Sequence, residues 1–286
     1  MAPLAFRPAW RPAVVILTWL ILWGAARAVI TFERRYNYPH IDLYPGGCGA
    51  VLPDAGFVLS GGGSDALPRG LAELVRIDSV GDVVWFRLYG PPYPYDAFAH
   101  RVCWTLDGCY VFCGDWTGPD TSYAFVAKAD TLGNLLWIFF YDGMNNNFSG
   151  VCATHDSGCV LTGSTGLSSG KIGIHLLKLN RDGEVEWWKV CPDSLEAGFS
   201  VQQTRDLGYI IGGRAPHPIR PDECVACMAK IDSAGNTSWV RKFDGFERTW
   251  GVQCGSDPGW RLCAMWPNML GWRDRFVCLE AGLTWQ

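Results

Sequence analysis

Gly166-Leu167-Ser168-Ser169-Gly170 fits GxSxG, the spacing that puts a nucleophilic serine on a sharp turn between a strand and a helix. Here the stretch lies in a Gly/Ser-rich segment between two strand-like runs, so it reads as a loop. Cys224 and Cys227 form a CxxC. A structural zinc site needs two further ligands at similar spacing, and a redox pair needs a helix N-terminus. The pair instead runs straight into the strand-like Met228 to Ile231, which leaves a local disulfide or two packed thiols. Asn180-Arg181-Asp182-Gly183 offers too few oxygens for a calcium loop. His40, His100, His155, His175 and His217 show no metal-ligand spacing. Glycoside hydrolysis needs two carboxylates facing one pocket, and no spacing places such a pair. The expectation is a protein with no catalytic residue, no cofactor and no metal, and hence not an enzyme.

What does recur is structural. An Asp at a turn, followed by Gly and an apolar run, appears at Asp54, Asp107, Asp156, Asp206 and Asp257, at intervals of 53, 49, 50 and 51 residues. A second landmark is an apolar strand, an Asp/Asn-x-x-Gly turn and a Trp four residues after the Gly. It occurs as Asp78, Gly81 and Trp85; Asp130, Gly133 and Trp137; Asn180, Gly183 and Trp187; and Asp232, Gly235 and Trp239. Its Trp residues are 52, 50 and 52 apart. Two independent motifs share one period of about 51 residues, and self-similarity at a fixed period is the mark of a repeat architecture.

Both landmarks are hairpin turns by their chemistry: Asp or Asn at the first position bonds backbone amides two residues on, and the Gly supplies the positive φ that closes a bulged hairpin. Between them the sequence alternates as strands do, as in Ser200 to Thr204, Tyr209 to Ile211, Met228 to Ile231 and Thr237 to Val240. Four short strands per unit of this length predict a propeller blade rather than a β-solenoid coil, which is shorter and lacks paired tight hairpins. The fold expected is all-β, a β-propeller of about five four-stranded blades. The recurring Trp is expected to pack between neighbouring blades, with its N–H on a backbone partner.

The chain resembles the bacterial and archaeal extracellular β-propeller repeats of the seven-bladed β-propeller repeat type. The resemblance runs from about Phe32 to the end and is clearest over Ala124 to Trp137 and Ser200 to Gly213. It implies a secreted or surface-displayed propeller without known catalysis, often carried in longer multidomain proteins. Blade two departs from the pattern with Cys109 where the others have Gly, and the fifth unit shrinks to Glu280 to Trp285. Thr154 to Gly158 and Thr204 to Gly208 resemble the first half of the turn found in sialidase propellers, but Leu161 and Ile211 stand where its aromatic belongs. Quinoprotein propellers also dock a Trp beside a Gly turn, a likeness of architecture. These two give the alternative reading, a carbohydrate-active or quinone-linked enzyme.

Units are expected at 46–90, 97–141, 148–190, 198–243 and 248–286, within a domain over 29–286. Segment 29–45, where Phe32 to Tyr36 aligns with Trp85 to Tyr89, reads as an outer strand able to close the ring. Leu283 to Trp285 competes for that place, so either five blades close imperfectly or the chain is the front of a larger ring.

Residues 1–28 read as a secretory signal: Arg7 and Arg11, an apolar run from Ala13 to Trp23, and small residues ending at Ala28, the expected cleavage point. Only 15 residues separate Arg11 from Arg27, short of the ~20 that span a bilayer. Export, to the cell surface, periplasm or medium, is the expected localisation, with no stable membrane insertion after cleavage. Twelve cysteines in an exported chain point to disulfides. Gly is 34 of 286 and Trp is 15, a mix that suits tight turns and aromatic strands. Net charge is −4 with both signs interspersed, which argues against nucleic acid.

Strand order places the Asp/Gly turns on one face and the long, unlike connections on the other, and contact residues concentrate in loops that vary over a rigid scaffold. The partner-binding residues expected are Tyr93, Tyr95, Trp116, Asn145, Asn146, Asn147, His217, Arg220, Phe246 and Arg248. The function expected is a non-enzymatic interaction module for a protein or glycan.

Overall fold

The computed structural model describes residues 49–64, 70–90, 96–118, 122–141, 147–167, 169–191, 195–220 and 223–243, together with the backbone of 252–254, 261–266 and 275–280. The expected signal with Ala28, the segment 29–45, and Tyr93, Tyr95, Asn145, Asn146, Phe246, Arg248 and Asp257 lie outside the described residues.

Among those described, every regular element is a strand. Blade 1 holds β1 (Gly49–Val51), β2 (Phe57–Ser64), β3 (Gly70–Ile77) and β4 (Val83–Tyr89). Blade 2 holds β5 (Asp96–Trp104), β6 (Tyr110–Thr117), β7 (Ser122–Ala129) and β8 (Leu135–Tyr141). Blade 3 holds β9 (Asn147–Ala153), β10 (Cys159–Gly166), β11 (Ile172–Leu179) and β12 (Val185–Val190). Blade 4 holds β13 (Ala197–Gln203), β14 (Tyr209–Pro216), β15 (Cys224–Ile231) and β16 (Thr237–Phe243). Each is a four-stranded antiparallel sheet in chain order, and β17 (Val252–Cys254), β18 (Arg261–Trp266) and β19 (Arg275–Glu280) make a fifth, three-stranded sheet. The all-β propeller architecture is as the period predicts.

The core lies in the seams between blades. Successive side chains of a strand point to opposite faces, so each third strand feeds two seams. Phe125 and Ala127 of β7 join Ala72, Leu74 and Ala99 against blade 1, while Ala124 and Val126 join Phe148, Leu161 and Leu177 against blade 3. A strand covered on both faces has no need to alternate, and β3, β7 and β11 are buried almost throughout. Outer strands β4, β8 and β12 are half-covered and expose Val84, Leu136, Phe140 and Trp188.

The two turn families close differently. In the second, Asp78 Oδ1 accepts from the amides of Val80 and Asp82, at 3.0 and 2.8 Å. Gly81, Gly133, Gly183 and Gly235 there adopt φ between 80° and 92°. Each of the last three also seats the preceding blade's Trp. A Cβ on Gly183 would stand 2.9 Å from the Trp137 ring, and one on Gly235 3.0 Å from Trp187. Trp85 and Trp137 complete the seam by donating Nε1–H to the carbonyls of Thr131 and Arg181, at 3.1 and 3.3 Å.

In the first family the expectation that Gly supplies the positive φ is corrected. The left-handed residue is the one after the Asp: Ala55, Gly108, Ser157 and Leu207, with φ of 61° to 77°. The Gly that follows is required by space, since a Cβ on Gly158 would lie 2.2 Å from the Leu179 carbonyl oxygen. Blade 2 departs from the pattern consistently: Cys109 takes the Gly place and Gly108 takes the left-handed one.

The expectation of disulfides is not met among the described cysteines. Cys103, Cys109, Cys113, Cys159, Cys191, Cys224 and Cys227 carry free thiols. Cys224 and Cys227, three apart on one strand, point to opposite faces of β15. Cys227 packs in the seam between blades 3 and 4, and Cys224 donates its thiol to Glu196. Two packed thiols, not a bridge, is the outcome.

Candidate functional site

The innermost strands β5, β9 and β13 share one irregularity. Pairing with the second strand slips between Ala99 and Arg101, between Phe148 and Gly150, and between Gly198 and Ser200. A bulge leaves one residue unpaired and re-aims side chains; here the unpaired residues are His100, Ser149 and Phe199. The partner strand meets each bulge with a glycine. A Cβ on Gly114 would be 1.7 Å from Phe98 O, on Gly163 1.8 Å from Asn147 O, and on Gly213 2.2 Å from Ala197 O. No side chain fits under these carbonyls, so the sequence holds the bulge with Gly.

One residue beyond each glycine comes a polar side chain that reaches back to the inner strand. In blade 2, Asp115 Oδ1 hydrogen-bonds His100 Nε2. In blade 3, Asn147 Oδ1 accepts from the amide and hydroxyl of Ser164, both at 3.0 Å. In blade 4, Arg214 Nε lies 3.5 Å from Glu196 Oε2, which also accepts from Cys224 Sγ at 3.0 Å. Burial, with Glu196 beside it, pushes the Cys224 thiol up to about 11.

These pairs form a continuous band. Phe98 stacks on His100 with centroids 5.2 Å apart and lies against Gly62 of blade 1. Arg101 Nε donates to Ser149 O at 3.3 Å, and the Phe199 backbone abuts Gly150. His100 and Asp115 are about one-third exposed, at 31% and 28% of their side chains, so both face solvent at the mouth of the inner strands, on the face that carries the long connections. An imidazole fixed by a carboxylate can take or give a proton. Among the described residues no group of three metal-ligating side chains comes together.

Four of the expected contact residues are described, and each has contacts within the chain. Trp116 is half-buried, its ring 4.6 Å from Phe140 and packed on the seam between blades 1 and 2. Asn147 orients the mouth from inside, as above. His217 is buried and accepts the amides of Ile219 and Arg220 on Nδ1, both at 3.0 Å, so it shapes its loop. Arg220 is exposed and ion-paired to Glu223 at 2.7 Å. His100, Asp115, Ser164, Glu196 and Arg214 were absent from the expected set. The signal for Asp115, Ser164 and Arg214 is the Gly followed by a polar residue near the end of the second strand; His100 and Glu196 carry none.

No protein-family model matches the chain, and no curated protein matches it. Solved structures do. A Dyadobacter fermentans protein of unknown function superposes with a TM-score of 0.59 at 14% identity, covering 86% of this chain and 82% of that one. An endo-arabinase from Bacteroides thetaiotaomicron gives 0.48 at 9% identity over 84% and 95%. A bifunctional GH43-CE protein of Bacteroides eggerthii gives 0.46 at 12% identity over 79% and 31%. At such identities the likeness is one of fold. The expectation that the chain is not an enzyme is corrected: it rested on a missing sequence constellation, and a fold of this kind hosts its function in the site rather than in a sequence motif, so that absence excludes no catalysis.

Proposed function

We propose that this propeller is a carbohydrate-active protein whose sugar site is the inner-strand mouth. The observation that carries the reading is the His100–Asp115 pair on a bulge, beside the Phe98 ring. Sugars are recognised by an aromatic face under their C–H groups and by side chains that meet neighbouring hydroxyls with oriented donors and acceptors, the mixture ligand sites use. Phe98 and Phe199 provide aromatic faces, while His100, Asp115, Ser164, Glu196 and Arg214 provide the polar set. Within this reading His100 handles the proton and Asp115 fixes its ring. The period of about 51 residues supports placing the chain among the extracellular propeller repeats, and the signal-like residues 1–28 support meeting its substrate outside the cytoplasm.

Titration calorimetry and reducing-sugar release, run on the purified protein with arabinan, galactan, xylan and mannan fragments, test the proposal. Binding or release is expected with at least one fragment, weakened tenfold or more in His100→Ala with an unchanged melting temperature. No binding and no release across the panel overturns it.

A further inference from the structure

Charge at the mouth selects among sugars. The two arginines of the inner band, and His100 beside them, each meet an acceptor of the protein itself. Arg214 Nε faces the Glu196 carboxylate at 3.5 Å, an ion pair without a hydrogen bond on that nitrogen, Arg101 donates to the Ser149 carbonyl, and His100 is bonded to Asp115. On the adjoining connection Arg220 is held by Glu223. Lys171 and Lys242 stand farther out, beside the third strand of blade 3 and on the fourth strand of blade 4. Among the described residues of this face four carboxylates stand with them: Asp96, with Oδ1 on the Gly70 amide at 2.6 Å, Asp115, Glu196 and Glu223.

Recognition of a uronate, sialate or sulfate uses a guanidinium fork or ammonium aimed at the anion, with its charge available to the ligand. A fork already neutralised by a carboxylate does not offer that charge, and the carboxylate beside it repels the incoming anion, which is how a site discriminates against a competitor. Resting on the carbohydrate reading above, we infer that the mouth takes uncharged glycans and rejects acidic ones, with Glu196 as a specificity-determining residue that masks Arg214. Paired ions of this kind still present hydrogen-bonding edges to hydroxyl groups, so they serve a neutral sugar without the cost of an unmatched charge.

The test uses the full chain and two sets of probes at equal chain length: neutral arabinan, galactan, xylan and mannan fragments, and acidic oligogalacturonate, sialyllactose and chondroitin sulfate fragments. Calorimetry on the wild type is expected to give a ratio of neutral to acidic affinity of tenfold or more. Glu196→Gln unmasks Arg214 and is expected to shift that ratio at least tenfold toward oligogalacturonate, an effect suppressed by 0.5 M NaCl. A melting curve establishes that the variant is folded; if it is not, Arg214→Gln in the wild type serves instead, and the same inference expects oligogalacturonate affinity to stay at its low wild-type level. Wild-type preference for an acidic probe, or an unshifted ratio in folded Glu196→Gln, overturns the inference and leaves the carbohydrate reading standing. Absence of binding to both sets overturns the reading and the inference together.

Discussion

The two ends of the same strands are built by opposite rules. At the turn end, each of the four described blades repeats one device: the turn Asp binds a cation of the third strand, buried in blades 1 to 3 and half-buried in blade 4. Asp54 holds Arg76, Asp107 holds Lys128 at 2.7 Å, Asp156 holds Lys178 at 2.8 Å and Asp206 holds Lys230 at 3.0 Å. At the mouth end the residue after the bulge glycine differs from blade to blade and meets the inner chain at a different place each time: Asp115 with His100, Ser164 with Asn147 and Arg214 with Glu196. Constant chemistry marks what every blade needs in order to pack. Chemistry that differs from blade to blade over a constant backbone marks what a ligand would read.

The comparison breaks first at the backbone the mouth stands on. Gly114→Ala would push a Cβ within 1.7 Å of Phe98 O, which only backbone movement relieves. It should destabilise by about 4 kcal/mol, read as a fall in denaturant midpoint; a midpoint within error of wild type would mean the bulge is not held by the glycine. Trp137→Ala empties the half-buried seat over Gly183 and leaves the Arg181 carbonyl with Lys128 Nζ at 3.0 Å as its remaining donor, with an expected loss of about 3 kcal/mol.

At the turn end, Asp156→Asn removes one carboxylate from the buried Lys178 ammonium, which keeps Glu186 at 3.0 Å. A loss of about 2 kcal/mol is expected. Acid should reproduce it. Desolvation pushes Asp156 up, but bonds from Lys178, Thr154 and the Gly158 amide bring it down to about 2, and Thr204 and Lys230 bring Asp206 to about 2. For carboxylates so lowered, the stabilisation is complete above pH ~4 and drains away as pH falls toward ~2. Urea unfolding at pH 5, 4, 3 and 2 should show the decline, and a smaller decline in Asp156→Asn.

The smallest effect comes from one seam position that the repeat fills four ways: Glu73, Phe125, His175 and Cys227. His175 is buried between Tyr141 and Phe148, and neither ring nitrogen has a hydrogen-bond partner. Burial pulls it down to about 4 from 6.5, while burial lifts Glu73 to about 7 from 4.5. Stability linked to His175 is therefore full above pH 6.5 and lost as pH falls toward 4, whereas that linked to Glu73 is full below pH 4.5 and lost as pH rises through 7. His175→Phe, the blade 2 residue, should gain about 1 kcal/mol relative to wild type at pH 5.5 and less at pH 8. An equal difference at both pH values would detach the effect from titration.

The period, the turns and the Trp seats were legible in the sequence because each depends on residues within a few positions of one another. The third-strand cations were legible too, as a Lys or Arg two residues before every second turn, at Arg76, Lys128, Lys178 and Lys230, but a basic residue in a strand reads as solvated until its partner is seen. The mouth is harder. His100 meets Asp115, Asn147 meets Ser164 and Glu196 meets Arg214 across a hairpin, and the register slip that aligns them is set by a glycine whose purpose is steric. Trp116, by contrast, is legible as a loop-end aromatic, and its ring also packs on the seam between blades 1 and 2.

One paired measurement tests the division of labour most directly: unfolding free energy and oligosaccharide affinity for Asp115→Asn and Asp156→Asn, side by side at pH 7. Asp115→Asn is expected to change stability by less than about 0.5 kcal/mol while weakening binding tenfold or more. Asp156→Asn is expected to lose about 2 kcal/mol while the folded fraction binds as wild type does. Asp115→Asn losing as much stability as Asp156→Asn with binding intact would contradict the account, because the mouth would then be one more piece of scaffold.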